Sequence, residues 1–195
     1  PSLVTESAAS SRYADAQPTH PAEAQTQPEL NREGAYTWVK AARYADFPAE
    51  VGPLARRLLA APDASAPAGV WPRHRARAAE ASLLGGELAG WLGELAPGHE
   101  ALNAFPPELP DGASVGLIEA PRGTLGHWLE VADNKLVRYQ VISPTTWNAA
   151  PRDEAGQPGP MERALEGVEL ADPADPIEAV RILHSFDPCL QCSVH

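Results

Sequence analysis

The sequence is short of sulfur. Its 195 residues contain two cysteines and one methionine, so a disulfide-rich scaffold is excluded and no iron–sulfur cluster can be held by this chain alone. Basic charge is also scarce. Fifteen Lys and Arg stand against 26 Asp and Glu, a net charge of −11, which leaves no basic stripe for nucleic acid. No run approaches the roughly 20 apolar residues needed to cross a bilayer, so a membrane role has to come through another chain. A signal peptide is missing, and the first residue is Pro1 rather than Met. The expected start is therefore a processed end or a cut in a longer protein. There is no internal repeat and no long low-complexity tract.

What is present is ordinary for a folded domain, or for part of a larger one: 44% hydrophobic and 21% charged residues. Proline is the exception, at 21 residues about twice the usual share, and it falls between segments. Residues 1–33 read as an extended loop region. In GAYTWVKAARY (34–44) the alternation of Tyr36, Trp38 and Lys40 predicts a short strand. From Ala49, Val51, Leu54, Leu58 and Leu59 recur at helical spacing. A longer helix is expected over Arg73 to Leu95, with Leu84, Leu88, Trp91, Leu92 and Leu95 as its apolar stripe and Arg73, Arg75, Arg77 and Glu80 on the polar side. Residues 97–112 form a proline-rich link that closes a helical region over 34–112.

The remainder, 113–195, is different. VGLIEAP, GHWLEV and KLVRYQVIS read as β-strands, with ADNK (132–135) as a hairpin turn. TWNAAPRDEAGQPGP reads as loop and MERALEGV as a short helix. Asp175 and Pro176 are expected to cap a helix, IEAVRILH, that runs into the tail. The predicted class is α+β, helix-rich, with a small antiparallel β-hairpin region.

Three clusters carry chemistry. Cys189, Cys192 and His195 stand at i, i+3 and i+6 in the last seven residues. A zinc knuckle lacks its other ligands, and a thioredoxin-like pair would open a helix rather than follow one. Coincidence stays open. Asp187 and the stiff Pro188 precede the first thiol, and such a turn suits two thiolates on one soft metal. In EAPRGTLGHW, Arg122 is either a surface arginine at a strand end or a buried one with a partner. In PTTWNAAPRD, Thr145 and Thr146 read most simply as turn caps.

Taken in order, DPCLQCSVH, EAPRGTLGHW and RYQVISPTTWNAAPRDEAGQPGPMERAL resemble the C-terminal part of the large subunit of the [NiFe]-hydrogenases. HPAEAQTQP, YTWVKAARY, EVGPLARRLL and HRARAAEASLL are similar to weaker blocks of that family. Ala24 and Ala42 depart from its usual glycine and proline. An R-x-C-G-x-C block and a proton-relaying glutamate, which the family carries in its N-terminal part, are not in this sequence.

The resemblance implies the C-terminal part of that large-subunit fold, its N-terminal part absent, and reversible heterolytic cleavage of H2 at a nickel–iron centre. Under it Cys189 is a terminal nickel ligand and Cys192 bridges nickel and iron. Arg122, Thr145 and the backbone of Thr146 face iron-bound cyanide and carbon monoxide. Asp187 pairs with Arg122, while Pro121, Leu125 and Pro144 form a dry apolar wall. His195 and the carbonyl of Val141 hold magnesium. His184 ranks behind these, as a neighbour of the site or plain core. Implied partners are a small subunit with iron–sulfur clusters, a maturation endopeptidase that cuts after His195, and nickel-insertion proteins. The chain alone is expected to be inactive. A periplasmic or membrane-associated location through the partner is favoured over a cytoplasmic one. A hydrogen-sensing subunit and a metal-free paralogue of the complex I type are the alternatives; retention of Cys189, Cys192, Arg122 and His195 together speaks against the latter.

Overall fold

A computed structural model describes residues 3–14, 17–61, 68–98 and 108–193. His195 and residues 99–107 of the proline-rich link lie outside them. The expected α+β class holds: six helices and two small antiparallel sheets are described.

The first sheet is short and polar in sequence. β1 (Val4–Ser7) pairs antiparallel with β2 (Ala41–Tyr44), Val4 opposite Tyr44 and Ser7 opposite Ala41. This corrects two expectations. A strand lies inside the stretch read as loop, and within 34–44 only the last four residues are strand. Four residues with a buried glutamate carry no apolar alternation, so their pairing is decided by distant partners. Glu6 is buried against the Lys40 ammonium, 2.9 Å away, and also accepts from Gln140 Nε2 at 2.6 Å. Arg43 is buried beside them. Its Nε donates to Asp153 Oδ2 at 2.8 Å, and its Nη2 donates to the Pro151 and Gln157 carbonyls.

α1 (Pro53–Ala60) starts at its proline, four residues later than the apolar spacing predicts, because Gly52 sits at φ +121 and cannot be helical. Of its expected stripe only Leu54 is buried, and Leu59 is exposed. α2 (Val70–Glu94) follows. Its polarity is opposite to expectation: Arg73 and Ala76 are buried, whereas Leu84, Leu88, Trp91, Leu92 and Leu95 are exposed. Arg73 is buried because it is paired with Glu50 at 2.8 Å.

The second sheet has the order β3 (Gly112–Ala120), β4 (Gly123–Ala132), β5 (Lys135–Ile142). Asp133 and Asn134 turn β4 into β5 with φ of 50° and 57°, the left-handed pair that a tight hairpin requires. Trp128 of β4 and Ile142 of β5 join Val4, Ala42 and Trp147 in the core cluster. The chain after β5 is not pure loop. Ser143 caps α3 (Pro144–Asn148), with its Oγ accepting from the Thr146 amide. α4 (Pro160–Leu165) and α5 (Ile177–Ser185) fall where the sequence puts helices. Asp175 does not cap α5; Pro176 holds the N-cap position without a side-chain bond. A final turn, α6 (Leu190–Ser193), packs on α3.

Candidate metal centre

The site forms where the tail meets α3. Ser143 precedes Pro144, and together they start a helix: serine accepts from the orphan amides while proline supplies the helical φ. Every residue of this turn is buried. Its hydroxyls then grip the tail. Thr145 Oγ1 accepts from the Cys189 amide at 3.1 Å. Ser143 Oγ donates to the Cys192 carbonyl. Both cysteines are thus pinned through their backbones by one turn of helix. Their Cα atoms stand 5.3 Å apart, and the sulfurs meet as a disulfide. Two sulfurs that meet on one side of a turn are also a donor set that fits a single soft metal once reduced.

Arg122 reaches the tail from the β3–β4 turn. Its Nε donates to the Asp187 carbonyl at 2.8 Å and lies 3.1 Å from Asp187 Oδ2. Both of these contacts are made through Nε. Asp187 sits at φ +55, which swings Pro188 and Cys189 out of the line of α5. The turn itself is clamped. Gly52 lies against the Arg122 carbonyl, where an added Cβ would come within 2.9 Å. Arg56 donates to the Ala120 and Pro121 carbonyls at 3.1 and 3.2 Å. It pairs with Glu80 and Glu119, and the hydrogen bonds it donates to Glu80 raise its pKa above the ordinary arginine range.

Not all expected residues lie as expected. Arg122 is not buried; its side chain is 44% exposed and that of Asp187 42%, because no described residue covers that side. Of the expected apolar wall, Pro121 is exposed, Leu125 is half-buried and Pro144 is buried. Thr145 and Thr146 are buried, and Thr146 serves the Ser143 cap. Thr145 takes the Cys189 amide instead of ending a turn. Val141 sits opposite His127 in β5 and is half-buried. His184 is exposed, so it is not plain core. Among the described residues, no three His, Cys, Asp or Glu side chains converge. The sequence reading missed Ser143. Its signal was a serine directly before a proline-initiated helix.

The model of the nickel-dependent hydrogenase family matches residues 1–69 and 63–195. This chain belongs to the nickel-dependent hydrogenase family. It is 39% identical to the periplasmic [NiFeSe] hydrogenase large subunit of Desulfomicrobium baculatum, over 88% of this chain and 38% of that one. It is 40% identical to the hydrogenase-1 large chain of Citrobacter freundii, over 86% of this chain and 33% of that one. A solved structure of the H2-activated Dm. baculatum [NiFeSe]-hydrogenase matches all of this chain with a TM-score of 0.87 at 37% identity, covering 45% of its own chain. This chain therefore has the fold of the C-terminal portion of such a large subunit, and spans about a third of the length of the curated relatives it matches. No helix among its described residues is long and apolar enough to cross a membrane.

Proposed function

We propose that this chain is the C-terminal part of the catalytic large subunit of a hydrogenase that splits H2 into protons and electrons at a nickel–iron centre. One observation carries the proposal: Ser143 and Thr145 pin Cys192 and Cys189 in one turn, two residues beyond the Asp187 that Arg122 holds.

The donor chemistry fits. Reduced to thiolates, Cys189 and Cys192 would hold the nickel–iron pair, with further thiolates supplied by the part of the subunit outside this chain. The bound centre supplies the electrophile that heterolytic cleavage needs. This chain supplies the rest. Cys189 Sγ, reduced to a thiolate, would be basic enough to accept the proton. Arg122 stabilises charge rather than taking a proton, because a guanidinium stays protonated. Its Nη atoms would suit an anionic diatomic such as cyanide on iron, with Asp187 held at Nε to orient them. Thr145 has a hydroxyl hydrogen left to donate while it accepts from the Cys189 amide. Pro144 and Leu125 restrict water beside it. His195 and the Val141 carbonyl would supply ligands to a magnesium ion, as the family resemblance implies.

Electrons leave through iron–sulfur clusters in a small subunit, since two cysteines cannot hold one. Uptake is the favoured direction: a relative from Bradyrhizobium diazoefficiens, 35% identical, is an uptake hydrogenase large subunit. The Desulfomicrobium relative is periplasmic, and the same location is proposed here. Maturation needs nickel insertion and an endopeptidase. The test is H2-dependent reduction of a viologen by the complete subunit assembled with its iron–sulfur partner. Turnover in the parent enzyme, and its loss in Arg122→Met, are expected. No turnover in a nickel-loaded parent contradicts the reading and favours a sensory or non-catalytic role.

A further inference from the structure

One face of α2 reaches both halves of the site. Arg73, Arg77 and Glu80 stand at i, i+4 and i+7, so they share a side of the helix. The arginines take hold of the end of α5. Arg73 is buried, with Nε and Nη2 each 2.8 Å from the Glu50 carboxylate and Nη1 3.2 Å from Ser185 Oγ. Its guanidinium lies 3.7 Å over the Phe186 ring. Arg77 Nη2 donates to the Ser185 carbonyl at 2.7 Å, and its Nε stands 4.0 Å from Asp187 Oδ2.

Glu80 serves the other half. It accepts from Arg56 at 2.6 and 2.7 Å, and Arg56 donates to the two carbonyls that precede Arg122. The backbone on each side of the Arg122–Asp187 pair is therefore tied to one rigid rod. The pair needs it. Both side chains are more than two-fifths exposed, and an exposed ion pair is too weak by itself to immobilise a long arginine. Asp187 also holds a left-handed φ of 55°, which persists only when its surroundings impose it.

We propose that Arg77 and Glu80 are positioning residues: through Asp187 and through Arg56 they set where the Arg122 Nη atoms point. Arg77 is a second guanidinium on the Asp187 carboxylate. It never touches the reacting atoms. The inference rests on the hydrogenase reading of the site, and adds to it that the aim of Arg122 is fixed from α2.

The test uses the metal-loaded subunit assembled with its iron–sulfur partner, as parent, Arg77→Met, Arg77→Lys and Glu80→Gln. Nickel content, the infrared stretching bands of the iron-bound diatomics, and kcat and KM for H2 are measured. Arg77→Met is expected to keep its nickel, shift the cyanide bands and lower kcat on the order of 10-fold, as small misplacement of a catalytic group does. KM stays within about twofold. Glu80→Gln moves the same bands less, and Arg77→Lys, which keeps the charge, recovers most of kcat. Unmoved bands with parental kcat in Arg77→Met overturn the inference. So does a loss of kcat in step with nickel while the remaining bands stay put, which marks a merely structural role. A parent enzyme that shows no diatomic bands at all overturns the reading beneath it.

Discussion

The chain has a finished side and an open side, and the centre sits where they meet. On the finished side, buried charges among the described residues are paired across the fold: Lys40 with Glu6, Arg43 with Asp153, Arg73 with Glu50. Asn148 closes the gap between α3 and the segment before α1, accepting from the Val51 amide at 2.9 Å and donating to its carbonyl at 3.0 Å. On the open side, Leu88, Trp91 and Leu92 of α2, Leu117 and Ile118 of β3 and Val137 of β5 stand in solvent. That much exposed apolar surface marks a face built to be covered. The relatives are about three times as long as the matched region, which is where the cover comes from in our reading. Half of the site, Ser143 to Thr146, belongs to the finished side. Arg122 and Asp187 belong to the other, where both side chains are more than two-fifths exposed.

The largest effect expected from this contrast is on the finished side. Arg43→Met leaves Asp153 buried and uncompensated and should lower stability by about 3–5 kcal/mol, read from urea unfolding. A loss below about 1 kcal/mol would break the contrast. Asn148→Ala strands both backbone groups of Val51 and should cost about 2 kcal/mol. Gly52→Ala places a Cβ at φ +121 and 2.9 Å from the Arg122 carbonyl, an expected loss of about 1–2 kcal/mol with the β3–β4 turn displaced. The smallest effect should be on the open side. Leu92→Gln in this chain alone should change the unfolding free energy by no more than about 0.5 kcal/mol. In the complete subunit the same change should cost about 2–3 kcal/mol, as for a buried leucine. Equal effects in both settings would show that this face is never covered.

How much of this the sequence disclosed depends on range. The hairpin at Asp133–Asn134, the helix leading into the tail and the two cysteines are local patterns, and the structure has them where the residues say. The polarity of α2 was not legible. Leucines at helical spacing normally face a core, and only their exposure here shows that the covering residues are elsewhere. Arg73 looked like the solvated end of that helix because its partner Glu50 is 23 residues away and Phe186 further still. β1 escaped notice because a four-residue strand holding a buried glutamate has no periodicity to detect. The roles of Thr145 and Ser143 were hidden for the same reason. Their partners are the backbone of a tail 44 and 49 residues on.

The most direct measurement is the nickel content of the assembled subunit and of its Cys189→Ser and Cys192→Ser forms, each purified with the iron–sulfur partner. We predict stoichiometric nickel in the parent and loss of it in both variants while the two proteins still copurify. Nickel retained after either substitution, or zinc in its place in the parent, would contradict the assignment of these two sulfurs.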